Sequence, residues 1–201
     1  MYLRRFSYRF KNYVEGVILM TNVDKEYATY KNMTSISYKI IEHLMTNPDA
    51  EIIWKLLKYT DADAYSKPNL TQQEKAALIY KGQAIQSDYN VFFDFMTSDA
   101  EDEMNTLLRI YPSEVYPITR VTGICTVNIE VFTHSKINHL SNYTTRVDVI
   151  IQTLLEVLNG SDIGGIGVLF FDNQASRYDK IQTIGQKPFK GKLLKMSVNM
   201  G

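Results

Sequence analysis

Alternation of polar and apolar side chains identifies a strand in the last third of the chain. In the segment GICTVNIEVFTH, Val127, Ile129 and Val131 fall on one side of an extended backbone. The segments predicted to be strands are 106–111, 123–134, 168–171 and 190–198. Pro112 and Pro117 predict a turn or an edge segment after the first of these, because proline has no N–H to donate to a ladder. The pattern therefore predicts a small sheet with several exposed edges.

Apolar side chains at helical spacing predict two helices that pack on this sheet. The first covers 35–46, with a threonine or serine at its start as the cap. The second covers 141–158 and is started by Ser141 or Thr144. We predict an α+β fold, a small antiparallel or mixed sheet of about four to six strands. In this fold a long helix of the C-terminal half covers the sheet, and the N-terminal half is helical.

The length and composition predict one domain with an arm. The chain has 201 residues, and its hydrophobic content of 45% is ample for a core. Residues 1–32 contain tyrosines and arginines but show poor periodicity, so they are predicted to be an N-terminal arm. The alternative is a short hairpin that has its turn near Glu15 and Gly16 and folds back on its own domain. Residues 33–201 are predicted to form a single α+β domain with a helical insertion at about 48–96. Within the insertion, Thr71 and Glu74 match a capping box.

The net charge is zero, but the charges are unevenly distributed along the chain. The arm begins with four basic side chains and no acid, residues 94–103 carry five acids and no base, and residues 177–195 carry six basic side chains against Asp179 alone. These segments are either solvated faces or complementary patches that meet across subunit contacts. In the second interpretation, the arm crosses a subunit boundary and its arginines contact acids of another copy or of a partner ring. The predicted contact residues are Arg4, Arg5, Arg9, Asp99, Glu101, Asp102, Glu103, Lys190 and Lys192.

No catalytic, cofactor-binding or metal-ligating set is predicted. The single cysteine, Cys125, is expected to be a packed thiol beside a strand, and no zinc-ligand spacing exists. The glycines of 160–167 lack the lysine and the following helix of a phosphate-binding loop, so a helix C-cap and a flexible turn are predicted. Asp61 and Asp63 lack the later glycine and glutamate of a calcium loop, which favours turn and cap roles.

Two histidines leave an alternative function open. His134 and His139 flank a predicted turn, with Ser135 and Ser141 nearby, but no nucleophile-elbow sequence accompanies them. Turn and cap roles are therefore predicted. The alternatives are a cytoplasmic small-molecule enzyme or ligand-binding domain that uses a pocket near these histidines, and a nucleic-acid-binding module that uses the arm and the lysines of 187–195.

The segment TVNIEVFTHSKINHLSNYTTRVDVIIQTLLEVLNG resembles the strand–helix core of neck and tail-terminator proteins of tailed bacteriophages. The final FKGKLLKMSVNM is similar to their last strand, and the early helix over 35–46 also fits. The resemblance covers about 33–46 and 105–201. It implies a structural virion protein, either a head–tail connector or a tail terminator. It also implies a homo-oligomeric ring of roughly six or twelve copies in the neck at the head–tail junction.

The resemblance carries no catalytic residues with it, so neither enzymatic activity nor a cofactor is expected. The expected partners are further copies of the chain, portal or connector proteins and tail proteins, with a passing contact with packaged DNA. No apolar run approaches the roughly 20 residues of a membrane span. We therefore expect no membrane contact, and a location in the virion after assembly in the host cytoplasm.

Overall fold

The computed structural model describes residues 33–82, 88–95, 104–119, 122–172, 179–185 and 187–200. The predicted arm at 1–32 lies outside the described residues, and so do its contact residues Arg4, Arg5 and Arg9. The same is true of the predicted acidic contact residues Asp99, Glu101, Asp102 and Glu103. The expectations attached to these residues, and the division into arm, domain and insertion, stay predictions.

Four α-helices lie within the described residues. They are α1 (Ile36–Thr46), α2 (Glu51–Lys58), α3 (Gln72–Ala77) and α4 (Arg146–Leu158). The helix predicted over 35–46 is confirmed as α1. The predicted capping box is also confirmed at the start of α3, where the Thr71 side chain accepts a hydrogen bond from the Glu74 N–H and the Glu74 carboxylate accepts one from the Thr71 N–H at 2.9 Å.

Helix α4 begins later than the prediction for 141–158. Its N-cap is Thr145, whose Oγ1 accepts a hydrogen bond from the Asp148 N–H at 3.2 Å and donates to Asp148 Oδ2 at 2.5 Å. Upstream, the Asn142 side chain accepts hydrogen bonds from the N–H and hydroxyl of Thr144. The start at Ser141 or Thr144 is therefore wrong, because local side-chain hydrogen bonds hold 141–144 in a turn.

Seven strands of the described residues form one mixed sheet. They are β1 (Val91–Phe92), β2 (Thr106–Pro117), β3 (Gly123–His134), β4 (Asp162–Ile163), β5 (Gly167–Phe170), β6 (Lys180–Ile184) and β7 (Phe189–Met200). The order is β1-β2-β3-β7-β5-β4, and β6 also pairs with β7. The pair β1–β2 is parallel and the others are antiparallel. The strand predicted over 123–134 is confirmed as β3.

The predicted fold class is wrong. The sheet is larger than expected, with seven strands, of which three have 12 residues each. In the part of the C-terminal half that the structure describes, no long helix covers it. Helix α4 has 13 residues, and the helices of the N-terminal half have 11, 8 and 6. Several short helices therefore share one face of the sheet: α1 and α2 contact β2, and α4 contacts β3 and β7.

Strand β2 also runs further than predicted. Pro112 and Pro117 were expected to mark a turn or an edge segment; both lie within β2, in a part whose only described partner is β3, so the edge segment is confirmed. The register between β2 and β3 shifts between Pro112 and Glu114. An irregularity of this kind accommodates a residue that cannot donate to the ladder, so the strand continues past Pro112.

The two faces of the sheet differ in character. On the helical face, Val127, Ile129 and Val131 of β3 are fully buried. They lie beside core residues of the neighbouring strands, since Ile129 pairs with Ile110 of β2 and with Leu194 of β7. The other face carries polar and aromatic side chains. The helical face therefore holds the main core.

Candidate assembly surfaces

Of the predicted contact residues, the structure describes Lys190 and Lys192, both in β7. Lys190 is exposed, and no described residue forms an ion pair with it. Lys192 forms a close ion pair with Asp148 of α4. This contact lowers the pKa of the Asp148 carboxyl, chiefly through the hydrogen bond from Lys192. Lys192 is therefore tied to its own chain, and Lys190 faces solvent.

A cleft of about 520 Å³ lies between the β6–β7 turn and the loop before α4. Lys187, Lys190 and Lys192 line it together with His139. The first N–H groups of α4 already have acceptors within the chain. The Arg146 N–H donates to the Asn138 carbonyl, and the Asp148 N–H donates to the Thr145 side chain, so neither is available to bind an anion. An anion in this cleft would therefore be held by the lysine side chains.

The histidines do not form a catalytic arrangement within the described residues. His134 is buried, with its ring 5.5 Å from that of Phe189, and its Nδ1 accepts from the Lys136 N–H at 3.3 Å. His139 is exposed and forms a backbone bridge with Thr145. No hydrogen bond joins either imidazole to a serine hydroxyl in the described part of the chain. His134 ends β3 directly before a turn and His139 follows that turn, in agreement with the predicted turn roles.

The face of the sheet opposite the helices carries a bonded polar network. The Arg109 guanidinium lies 4.7 Å from the centre of the Phe132 ring and 3.6 Å from Glu130. The Tyr111 hydroxyl donates to Glu130 Oε1 at 2.7 Å and accepts from Asn128 Nδ2 at 3.3 Å. Burial raises the pKa of Tyr111 to about 12, so at neutral pH its hydroxyl stays a donor. The network joins β2 to β3 across the ladder.

Within the described residues, no group of three or more histidine, cysteine, aspartate or glutamate side chains could hold a metal ion. Cys125 is buried, and burial raises the pKa of its thiol to about 11. The predicted packed thiol is therefore confirmed. Among the described helices, none has the length and apolar character needed to cross a membrane.

Strand β6 is an exposed edge of the sheet. It pairs with β7 from Lys180 opposite Lys195 to Ile184 opposite Gly191, and no other described strand pairs with it. Its first four residues are exposed, and Ile181 is 42% exposed. Such an edge presents N–H and C=O groups to which another strand can add. The sequence did not predict β6, because a short strand with exposed side chains leaves no buried alternation.

An apolar groove of about 710 Å³ lies near the opposite edge, beside β1. Tyr38 and Met45 of α1 and Ala76 of α3 form its walls, and Phe93 follows β1 at its rim. Tyr38 is 56% exposed and Phe93 is 38% exposed. Sequence reasoning missed this groove. The available signal was the helical spacing of Tyr38, Ile41 and Met45, which forms a second apolar stripe beside the core stripe of α1.

One protein family matches most of the chain. The YomW family matches residues 50–195, a span that includes α2, α3, α4, six complete strands and most of β7. No curated protein matches the chain. YomW is a family of the Bacillus phage SPbeta-region type. Since the match covers well over half of the sequence, the chain belongs to the YomW family and is a phage-derived protein.

Proposed function

We propose that this chain is a structural protein of the phage particle that assembles with copies of itself into a ring in the neck. The phage origin of the family supports a role in the particle. The resemblance of the strand–helix segment to neck and tail-terminator proteins supports the finer assignment to a connector or terminator. The observation that carries self-assembly is the exposed edge strand β6.

The two ends of the sheet favour a head-to-tail contact. The order of the sheet separates β6 from β1 by β7, β3 and β2. Strand β6 lies in the basic segment 177–195, whereas the acidic segment 94–103 begins two residues after β1. Opposite potentials on different surfaces of one subunit favour a heterologous interface, and such interfaces close into rings when the rotation permits.

Light scattering on the full-length chain tests this proposal. We expect a multimeric mass for the natural chain and a mass near the 23.2 kDa monomer for Ile181→Lys, because a lysine on an edge strand opposes the addition of another strand. Val168→Lys is the matched control. Val168 is 45% exposed, but its strand β5 is paired with β4 and with β7.

We expect Val168→Lys to keep the multimeric mass. A monomeric natural chain at concentrations of tens of micromolar would refute self-assembly. If both variants keep the multimeric mass, assembly does not use β6.

The cleft lined by Lys187, Lys190 and Lys192 supports the expected passing contact with packaged DNA. Lys187 and Lys190 are exposed on one side of it, and phosphate contacts make binding depend on salt. Replacing both by glutamine should lower the slope of log affinity against log salt by about 2 for duplex DNA. Lys81→Gln, at the groove beside β1, is the control and should leave the slope unchanged. An equal slope in all variants would refute a contact at this cleft.

A further inference from the structure

The apolar groove beside β1 has a volume of about 710 Å³. Its walls come from two helices, α1 and α3, and its rim comes from the chain that leaves β1. Two aromatic side chains at the groove, Tyr38 and Phe93, are substantially exposed, and Phe95, which is 62% exposed, follows two residues later. Contiguous exposed apolar surface of this kind marks a docking site.

The composition of the N-terminal arm matches the groove. Residues 1–32 contain seven tyrosine and phenylalanine side chains, and their first part also carries Arg4, Arg5 and Arg9. The groove is lined mainly by aromatic and aliphatic side chains, and Glu42, Thr46, Gln72 and Lys81 also line it. The acidic segment 94–103 starts directly after Phe93 at the rim. Aromatic side chains for an apolar groove and arginines for Asp94 beside Phe93 are therefore present in one segment of the chain.

The position of the arm also fits. Its last residue directly precedes Met33, which packs against the core, and Tyr38 of the groove wall follows five residues later. An extended chain of 32 residues spans up to about 110 Å. The basic and aromatic part of the arm can therefore reach the groove of its own subunit or that of an adjacent one.

We propose that the groove formed by α1, α3 and Phe93 is the docking site of the N-terminal arm, residues 1–32. The tyrosine and phenylalanine side chains of the arm enter the groove against Tyr38, Met45 and Ala76. The arginines of the arm lie near Asp94, which directly follows Phe93. Alone, the arm buries too little apolar surface to offset its ordering entropy, and docking supplies that surface. Docking of the arm does not depend on ring formation, because the groove can hold the arm of its own subunit or the arm of another copy.

Photo-crosslinking from the groove tests the inference. In the full-length chain, Tyr38→p-benzoylphenylalanine places a photoreactive ring at the wall while preserving an aromatic side chain. Tyr143→p-benzoylphenylalanine is the matched control, because Tyr143 is 100% exposed in the turn before α4 and does not line the groove. We expect crosslinks from position 38 to map to residues 1–32, and those from position 143 to map elsewhere.

Crosslinks from position 38 to β6 of another copy, or crosslinks to the arm that are equally frequent from position 143, would overturn the inference. A mixture of isotope-labelled and unlabelled chains shows in the same experiment whether the arm crosses between copies, as the sequence predicts. If the chain is multimeric but position 38 gives no crosslinks to the arm, arm docking is refuted and ring formation is not. A monomeric mass with crosslinks to the arm refutes ring formation alone.

Proteolysis gives a second reading that requires no photoreactive residue. Ala76→Arg fills the groove, whereas Ala77→Arg places the same side chain on the exposed adjacent position of α3. Arginine is a good helix former, so both variants should fold. We expect trypsin to cut within residues 1–32 faster in Ala76→Arg than in Ala77→Arg or the natural chain. Equal cleavage rates in all three chains would contradict docking in this groove.

Discussion

Basic side chains are buried and bonded on the helical face of the molecule but exposed at the β6 edge. On the helical face, Arg146 is fully buried and Lys75 is nearly so, and both are held by several bonds. At the β6 edge and the turn that follows, Lys180, Lys187 and Lys190 are exposed, and no described residue forms an ion pair with them. The buried cations of the helical face fix the fold, whereas the exposed lysines at the β6 edge are accessible to a partner.

Arg146 connects α4 to the end of α2. Its guanidinium donates to the carbonyls of Leu56 at 2.8 Å, Tyr59 at 2.7 Å and Asp61 at 3.0 Å. It also donates to the carbonyls of Thr60 and Ile137. Burial lowers the pKa of Arg146 to about 10, so the side chain stays cationic at neutral pH. One buried cation therefore satisfies the Leu56 carbonyl near the end of α2 and three carbonyls of the loop that follows it.

Lys75 plays a comparable role between α2 and α3. Its ammonium forms a 2.6 Å ion pair with Glu51 and lies 5.8 Å from the centre of the Trp54 ring. The Trp54 Nε1–H in turn donates to the Leu44 carbonyl at 2.9 Å. Glu51 Oε1 also accepts from the Leu70 N–H. These bonds fix the helices relative to one another.

The largest effect is expected for Arg146→Met, which retains much of the side-chain volume but removes every hydrogen bond. Buried carbonyls of α2 and of the following loop would lose their donor, so we expect a loss of about 3–5 kcal/mol in the free energy of unfolding. Urea unfolding followed by circular dichroism measures it. Lys136→Met, at an exposed position, is the control. Equal urea midpoints for the two variants would show that Arg146 does not fix the helical face.

A smaller effect is expected where strands β3 and β7 approach each other. A Cβ on Gly191 would lie 2.6 Å from the Val131 carbonyl oxygen and 2.7 Å from Cδ1 of Phe132. Gly191→Ala should therefore cost about 1–3 kcal/mol through overpacking. Gly164→Ala is the matched control, since no atom lies within 4 Å of its Cβ position.

Thermal unfolding should separate the two glycine variants by several degrees. If both unfold at the temperature of the natural chain, the backbones at Gly191 have room to move apart. The pairing of β3 with β7 would then be looser than the structure indicates.

The smallest effect concerns acid stability on the helical side. The hydrogen bond from Lys58 and those from Thr71 lower the pKa of Glu74 from 4.5 to about 2. A carboxyl with a lowered pKa in the folded state stabilises above its unfolded pKa, and this contribution is lost as the pH falls through the folded value. Glu74→Gln should therefore reduce the fall of the urea midpoint between about pH 4.5 and pH 2.

Glu156→Gln is the control for this measurement, because Glu156 is hydrogen-bonded to the neutral Gln152 amide. We expect the acid-induced fall of the urea midpoint in this variant to follow that of the natural chain. An unchanged fall in Glu74→Gln would refute the role assigned to the contact with Lys58.

Local patterns predicted those parts of the fold that depend on local chemistry. The strict alternation around Val127 and Ile129 predicted β3 with its correct bounds, and the Thr71–Glu74 pair predicted the start of α3. The late start of α4 was missed because Ser141, Thr144 and Thr145 are all acceptable caps in sequence. Only the hydrogen bonds of the folded chain select Thr145.

The size of the sheet and both open surfaces were missed for a different reason. Strand β6 has exposed side chains and no alternation of buried and exposed positions, so no sequence pattern predicts its pairing with β7. The groove depends on how α1 and α3 are placed, which the buried Lys75 and its partners determine. Charge segregation was visible in the sequence, but the separation of β1 from β6 in the sheet required the strand order.

Electron microscopy of the purified full-length chain tests the central claim most directly. The proposal predicts closed rings of uniform diameter, with roughly six or twelve subunits. It further predicts that Ile181→Lys abolishes these rings and that Val168→Lys preserves them. A field of single 23.2 kDa particles, or rings that persist in Ile181→Lys, would contradict assembly through the β6 edge.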